Sequence, residues 1–550
     1  MPLVSRRSLL SGFAAAPLMS SAGILRANTD TSFAHGVASG DPEAHSIVLW
    51  TRVTTREETV RVRWELATKR DFSEVVQQGE VFTNSLLDHT VKVIPQGLEP
   101  GRTYYYRFRC DSAYSPVGRT RTLPVGAVPR LGIALVSCSN FAFGHFHAYQ
   151  AIADDPAIDV VLHTGDYIYE YGANGWGSET SRALGRVHQP IHEIVTLADY
   201  RQRHAQYKSD SGSRAMHAAH PLIALWDDHE SANNPWQGGA QNHQSESEGD
   251  WRSRRAAATQ AYYEWMPIRP PRDDQSRIEF WRRYSFGDLA TLVTLESRHT
   301  ARAEQIDYGS VVAELSSATD AKTFESKVLN EPGRRMLSPR MESFLEQSLE
   351  ASKAAQQPWR LLGNAIPMVE VRVPDLAAHG IAMPGGHVEG SADLAWKGKY
   401  DLPLYLDTWD GYPWARERLF DLCENVDVRD LLVLTGDSHS FWANSITRAN
   451  GTAMGVEIGA AGVTSPGDFV EQGFDQAVAQ RLDTLIAQHN EGVNWTDNLH
   501  QGYVRVDLSP THADVDYVAV STVTKPDFTT SLVRQERVEA VEGSIGFTPR

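Results

Sequence analysis

Five apolar runs in this chain stop on a residue that can bind a metal, and that repetition narrows the folds open to it. "LGIALVSCSN" ends on Cys138, and "VVLHTGDYIYEYG" on Asp166 and Tyr169. "PLIALWDDHESANN" ends on Asp228 and His229, "RLLGNAIPM" on Asn364, and "RDLLVLTGDSHSFWAN" on Asp437 and His439. Short apolar runs bounded by turn formers predict buried strands. Helical stretches such as "SRRAAATQAYYEWM" and "PRMESFLEQSLEASKAA" fall between them. The alternation is that of an α/β protein, in which functional groups collect at the carboxyl ends of strands. A lone Asp at a strand end is usually a cap or turn residue. Five such ends, two of them written Gly-Asp, favour one shared metal site.

The chain has 550 residues, too many for one ordinary core. From Phe33 to Val125, short alternating runs such as "VRVRWELA" and "LEPGRTYYYRFRC" predict a small β-sandwich over 31–125, resembling a fibronectin type III fold, with the tyrosines as packing. The catalytic part is expected over 129–525. The polar stretch 172–210 is expected to be a substrate-facing loop. Residues 526–550 show no clear period and are expected to be a tail or a flap over the site. "SRRSLLSGFAAAPLMSSAG", with Arg6 and Arg7 ahead of a short, small-sided apolar run, reads as a twin-arginine export signal over 1–27. That signal implies the twin-arginine machinery as partner and a periplasmic or secreted protein, with no stable membrane span. A net charge of −17 argues against a nucleic-acid-binding module. It leaves a phosphate substrate open, because bound cations reverse the local field. Three cysteines give no disulfide framework.

The order "GDxxY", "DHE", "GDxH" resembles the metallophosphoesterases, purple acid phosphatases in particular. The departures point further: Cys138 at the first ligand position, Asp228 in place of Asn, Asp437 in place of the first His. With "SCSN", "GDYIYEYG", "WDDHESANN", "LLGNAIPM", "WDGYPWARERL" and "VLTGDSHSFWAN", they make the chain similar to the PhoD-type alkaline phosphatases over nearly its whole length. The resemblance implies a metallophosphoesterase-like β-sandwich core flanked by helices. It implies Fe3+ held by Cys138, Asp166, Tyr169 and His439, and one or two Ca2+ held by Asp228, Asn364 and Asp437, with Asp166 bridging. Two aspartates in place of Asn and His make the second site harder and more anionic, which suits Ca2+. For Asn364 a plain turn asparagine is the competing assignment.

The expected activity is hydrolysis of phosphate monoesters or diesters, a metal-held hydroxide attacking phosphorus in line. His229 is expected either to protonate the leaving alcohol or to orient Asp228. Cys138 as nucleophile lacks the phosphate-cradling loop that such chemistry needs. Arg298 in "LESRHTAR" is a candidate for the substrate phosphate, with a structural ion pair as the better assignment. Trp409, Asp410 and Tyr412 are expected to wall the entrance or pack a loop, and His145 and His147 to lie at the surface or behind the site. Two rivals stand beside the phosphatase: a phospholipase D-like phosphodiesterase acting on lipid or wall polymers, and a non-catalytic, metal-stabilised envelope binding protein.

Overall fold

The computed structural model describes residues 31–388, 390–541 and 543–549, so the expected export signal over 1–27 lies outside the described residues. The apolar runs become the central strands of two large sheets. In the first, Leu131–Val136, Val160–His163, Pro221–Ala224 and Val37–Gly40 run parallel, inside a ten-stranded order. In the second, Ala290–Thr294, Trp359–Gly363, Leu431–Thr435 and Ala453–Gly459 run parallel within seven strands. Parallel strands need cover on both faces, which is why their sequences are apolar throughout.

Within Leu131–Val136 the two-residue period sorts the side chains. Ile133 and Leu135 join the core shared with the second sheet, while Ala134 and Val136 face a second core under the helices. Tyr149, Tyr200, Met216 and Tyr262 from four helices cover that outer face. Across the molecule, Met341 and Leu345 of Pro339–Ala354 and Leu419 and Phe420 of Pro413–Asn425 pack onto the second sheet. The result is helix, sheet, sheet, helix, with strand ends aligned along one edge. Each fully buried Leu or Val in these cores contributes on the order of 1.5–3 kcal/mol.

The N-terminal β unit is a sandwich, and it shares a layer with the rest of the protein. Its five-stranded sheet, which includes Thr59–Ala67, Val75–Asn84 and Thr103–Cys110, packs Val62, Leu66, Tyr106 and Phe108 against Val37, Leu49 and Val91. Those last three residues belong to strands that end the ten-stranded sheet. Tyr104 and Tyr106 are core residues, as expected of packing tyrosines.

Two expectations are corrected. The segment 526–550 is neither tail nor flap: Thr530–Val541 and Ser544–Thr548 are the edge strands of the ten-stranded sheet, with Val538 and Ile545 in the core. The strand is wet on one face and carries Arg534, Glu536, Arg537 and Glu539, so charge hides its alternation. The stretch 172–210, read as a polar loop, contains the helices Ser178–Leu184 and Leu197–Ser209, the second closed by a Thr196–Asp199 capping box.

Candidate active site

The strand ends meet because registers align. Val136 pairs with His163, which pairs with Ala224, so the chain leaves three adjacent strands at one level. A bridge between Ser137 and Gly462 ties this edge to the second sheet. The Gly-Asp pairs make the approach possible. Gly165 has φ +109°, and a Cβ there would stand 2.4 Å from the Asp227 Cβ. A Cβ on Gly436 would stand 2.5 Å from the Ser137 Cβ. Cys138, Asp166, Asp437 and His439 adopt left-handed φ of 59°, 56°, 66° and 55°. Such conformations cost on the order of 1–3 kcal/mol each and persist where a site requires them.

Among the described residues four donor groups result, with atoms inside each within 4.8 Å of one another: Cys138, Asp166 and His439; Asp166, Asp228 and His229; Asp227, Asp228 and Asp437; and, toward the rim, His439, Asp468 and Glu471. Asp166, Asp228 and His439 each belong to two of them. The Tyr169 hydroxyl lies 3.2 Å from Asp166 Oδ2, and Cys138 Sγ lies 3.5 Å from the same oxygen. Seven of the eight residues expected in and around the metal site are therefore brought together. The eighth, Asn364, is buried at its strand end, where its amide nitrogen donates to the Ile366 carbonyl at 2.5 Å and its oxygen accepts from Trp409 Nε1 at 3.4 Å, bonds that a turn asparagine also makes. Arg298 is wholly buried and forms the structural ion pair preferred for it: it donates to Asp227 Oδ1 at 2.5 Å and to Asp437 Oδ1 at 3.3 Å, while its Nη1 has no hydrogen-bond partner among the described residues. Trp409, Asp410 and Tyr412 are buried packing residues. His147 stacks on Phe528 and bonds the Thr522 carbonyl.

Electrostatics describe a site short of positive charge. Burial, then Asp228, pushes the Asp166 carboxyl well above its ordinary range. Burial, then Asp227, does the same to Asp437. Burial works against Asp228 as well, yet the neighbouring His229 and Arg298 outweigh it and hold that carboxylate low. Burial and the adjacent Asp166 keep the Cys138 thiol and the Tyr169 phenol protonated when protein groups alone surround them. Burial, with His229 nearby, lowers His439 to about 4, leaving a neutral imidazole suited to metal binding. Asp228 Oδ1, Asp227 Oδ2 and His439 Nδ1 are buried without a hydrogen-bond partner among the described residues. Orphaned acceptors beside a thiol, a phenol and crowded carboxylates form a donor set that fits cations.

The sequence did not single out three residues that matter here. Asp227 precedes Asp228 in "WDD", and the doubled Asp was the available signal. Glu170 is wholly buried and accepts from His229 Nδ1 at 2.6 Å. Burial disfavours the imidazolium, but Asp228 and Glu170 outweigh it and raise the His229 pKa well above 6.5. Glu230 clamps two loops together: Oε2 accepts from the Asp166 and Asp227 amides at 3.1 and 2.8 Å, and Oε1 from Tyr167 N at 2.6 Å. No sequence pattern marks Glu230 beyond its place in "DHE".

Fold and site together define a phosphoester hydrolase. The family profile described as "PhoD-like phosphatase" matches residues 133–517, and "PhoD-like phosphatase, N-terminal domain" matches 19–124. The chain belongs to the PhoD-like phosphatase family. It is similar to "Alkaline phosphatase D" of Bacillus subtilis (strain 168), 34% identical over 519 residues, covering 90% of this chain and 78% of that one. It is also similar to the solved "Structure of PhoD", with a TM-score of 0.75 and 31% identity over 94% of this chain and 92% of the other. The non-catalytic binding protein and the phospholipase-like rival are not favoured by these relationships.

Proposed function

We propose that this family member is an exported alkaline phosphatase whose chemistry takes place at the strand-end cluster. Cys138, Asp166, Tyr169 and His439 would hold Fe3+, and Asp228 and Asp437 would hold Ca2+, with Asp166 between the two. Bound there, the cations would neutralise phosphate oxygens and lower the pKa of water. The observation that supports this most is the charge imbalance: among the described residues, Asp166, Asp227, Asp228 and Asp437 converge on two cations, Arg298 and His229. Carboxylates so buried are not left uncompensated.

The chain's own groups supply the rest. Glu170 fixes the His229 ring and keeps it protonated, so its Nε2–H can donate to the leaving oxygen. Arg298 holds Asp227 and Asp437 in place, and Glu230 sets the Asp166 loop against the Asp227–Asp228 loop. The twin-arginine signal, with Arg6 and Arg7, would deliver the protein beyond the cytoplasmic membrane. None of the described helices is long and apolar enough to span a membrane.

The test is hydrolysis of p-nitrophenyl phosphate and of its bis ester by wild type and by Asp166→Asn. Removing the shared carboxylate should lower kcat at least about 10³-fold on whichever ester is the substrate. An Asp166→Asn enzyme that keeps a tenth of the activity would overturn the assignment.

A further inference from the structure

A cavity of about 370 Å³ lies against Asp41, Glu43, Arg269, Arg272, Arg282 and Arg283, none of them part of the strand-end cluster. Four guanidiniums and two carboxylates there are conspicuous in a chain of net charge −17. Two of the arginines form a rigid floor. Arg282 is 9% exposed, donates through Nη2 to the Arg269 carbonyl at 2.9 Å, and brings Nε to 2.9 Å from Asp41 Oδ2. Arg269 donates through Nε to the Asp41 carbonyl at 3.1 Å and through Nη2 to Ser46 Oγ at 2.8 Å. Nη1 of each has no hydrogen-bond partner among the described residues.

Asp41 is fully occupied and does not cancel the field beyond its own pairs. It accepts from the Tyr284 hydroxyl at 2.6 Å and from Arg269 N at 2.7 Å, and it adopts a left-handed φ of 47° to do so. Glu43 is largely exposed and meets Arg269 at 3.4 Å. Arg272 and Arg283 are exposed, and neither has an ion-pair partner among the described residues. Two fixed guanidiniums below and two free ones at the lip suit a tetrahedral oxyanion, since planar guanidinium forks match phosphate oxygens.

We propose that this cavity is an exosite for a phosphate group, either free inorganic phosphate or one carried on a phosphodiester polymer. The polymer case rests on the hydrolase assignment; the free-phosphate case does not. The test uses holoenzyme, with Arg272→Ala/Arg283→Ala as the variant, because both residues are exposed and the floor stays intact. Equilibrium dialysis with labelled inorganic phosphate should show two classes of site in the wild type. In the variant one of them should be lost or weakened roughly tenfold or more, two charge-assisted contacts having gone. The kcat on p-nitrophenyl phosphate should stay within about twofold, since neither residue belongs to the proposed active site. KM for a short phosphodiester oligomer then separates the sources: a roughly tenfold rise assigns the exosite to polymer, and no change assigns it to free phosphate. Identical phosphate isotherms for wild type and variant would overturn the proposal. Because dialysis needs no turnover, that result is readable even if no phosphoester proves to be hydrolysed.

Discussion

Replacing Glu170 by Gln changes one atom and isolates the role of His229. In the native site the 2.6 Å bond from His229 Nδ1 ends on a carboxylate that is wholly buried. The other carboxylate oxygen accepts from Asn233 N at 2.7 Å and Asn242 Nδ2 at 2.8 Å, so the side chain is held from both ends. With cations on Asp166 and Asp228, Glu170 is the carboxylate left to stabilise the imidazolium. Gln keeps the shape but offers an amide N–H to Nδ1, which leaves the ring neutral and no longer an effective acid. A charge-assisted hydrogen bond of this kind is worth about 1.5–3 kcal/mol. General acid catalysis contributes typically 10²–10⁴-fold. On an alkyl phosphate, whose leaving group must be protonated, kcat should therefore fall about 10²-fold. On p-nitrophenyl phosphate, whose leaving group departs as an anion, it should fall less than about threefold. The pH profile on the alkyl ester adds a sign. The raised His229 pKa keeps the acid form present above pH 6.5, and activity is lost as pH rises through that pKa. The variant's basic limb should move toward the ordinary histidine value. Equal losses on both esters would refute the acid role and leave His229 as a residue that only orients Asp228.

Arg298→Met removes the cation on which Asp227 and Asp437 converge; breaking a buried pair of this kind costs about 3–5 kcal/mol, so urea unfolding should shift strongly while KM for surviving enzyme changes little. Burial raises the Asp483 pKa to about 7 even though Asn498 donates to both its oxygens. Its stabilising contribution is fully present below the unfolded value near 3.8 and is lost as pH rises through about 7, so thermal stability relative to Asp483→Asn should decline across that window by up to about 4 kcal/mol. Truncation after Pro526 strips two edge strands and uncovers the core at Val538 and Ile545, so the shortened chain should be destabilised or insoluble rather than more active.

Most of the donor set was legible because each donor follows a buried parallel strand, and the strand is written as an unbroken apolar run. Gly165 and Gly436 were legible for a related reason, since each position is too crowded for a Cβ. Glu170 was not, because its carboxylate faces His229 from a loop whose path only the tertiary structure fixes. Asn364 stayed ambiguous for the opposite reason: it ends a strand at the correct level, and its amide nitrogen closes a local turn onto Ile366. The closing strands over 530–548 were hidden by charge on their wet face. The shared layer of the N-terminal sandwich is a pairing of Val37–Gly40 with Pro221–Ala224 across nearly two hundred residues, which no local pattern encodes.

The central claim is that these strand ends hold iron and calcium and that turnover depends on them. Elemental analysis of the mature protein, exported through its own signal and purified without chelators, tests it most directly, with Cys138→Ser measured alongside. The account predicts about one iron and one or two calcium ions per wild-type chain, with iron lost selectively in the variant together with activity. Phosphatase activity from a metal-free chain, or from one carrying only zinc or manganese, would contradict it.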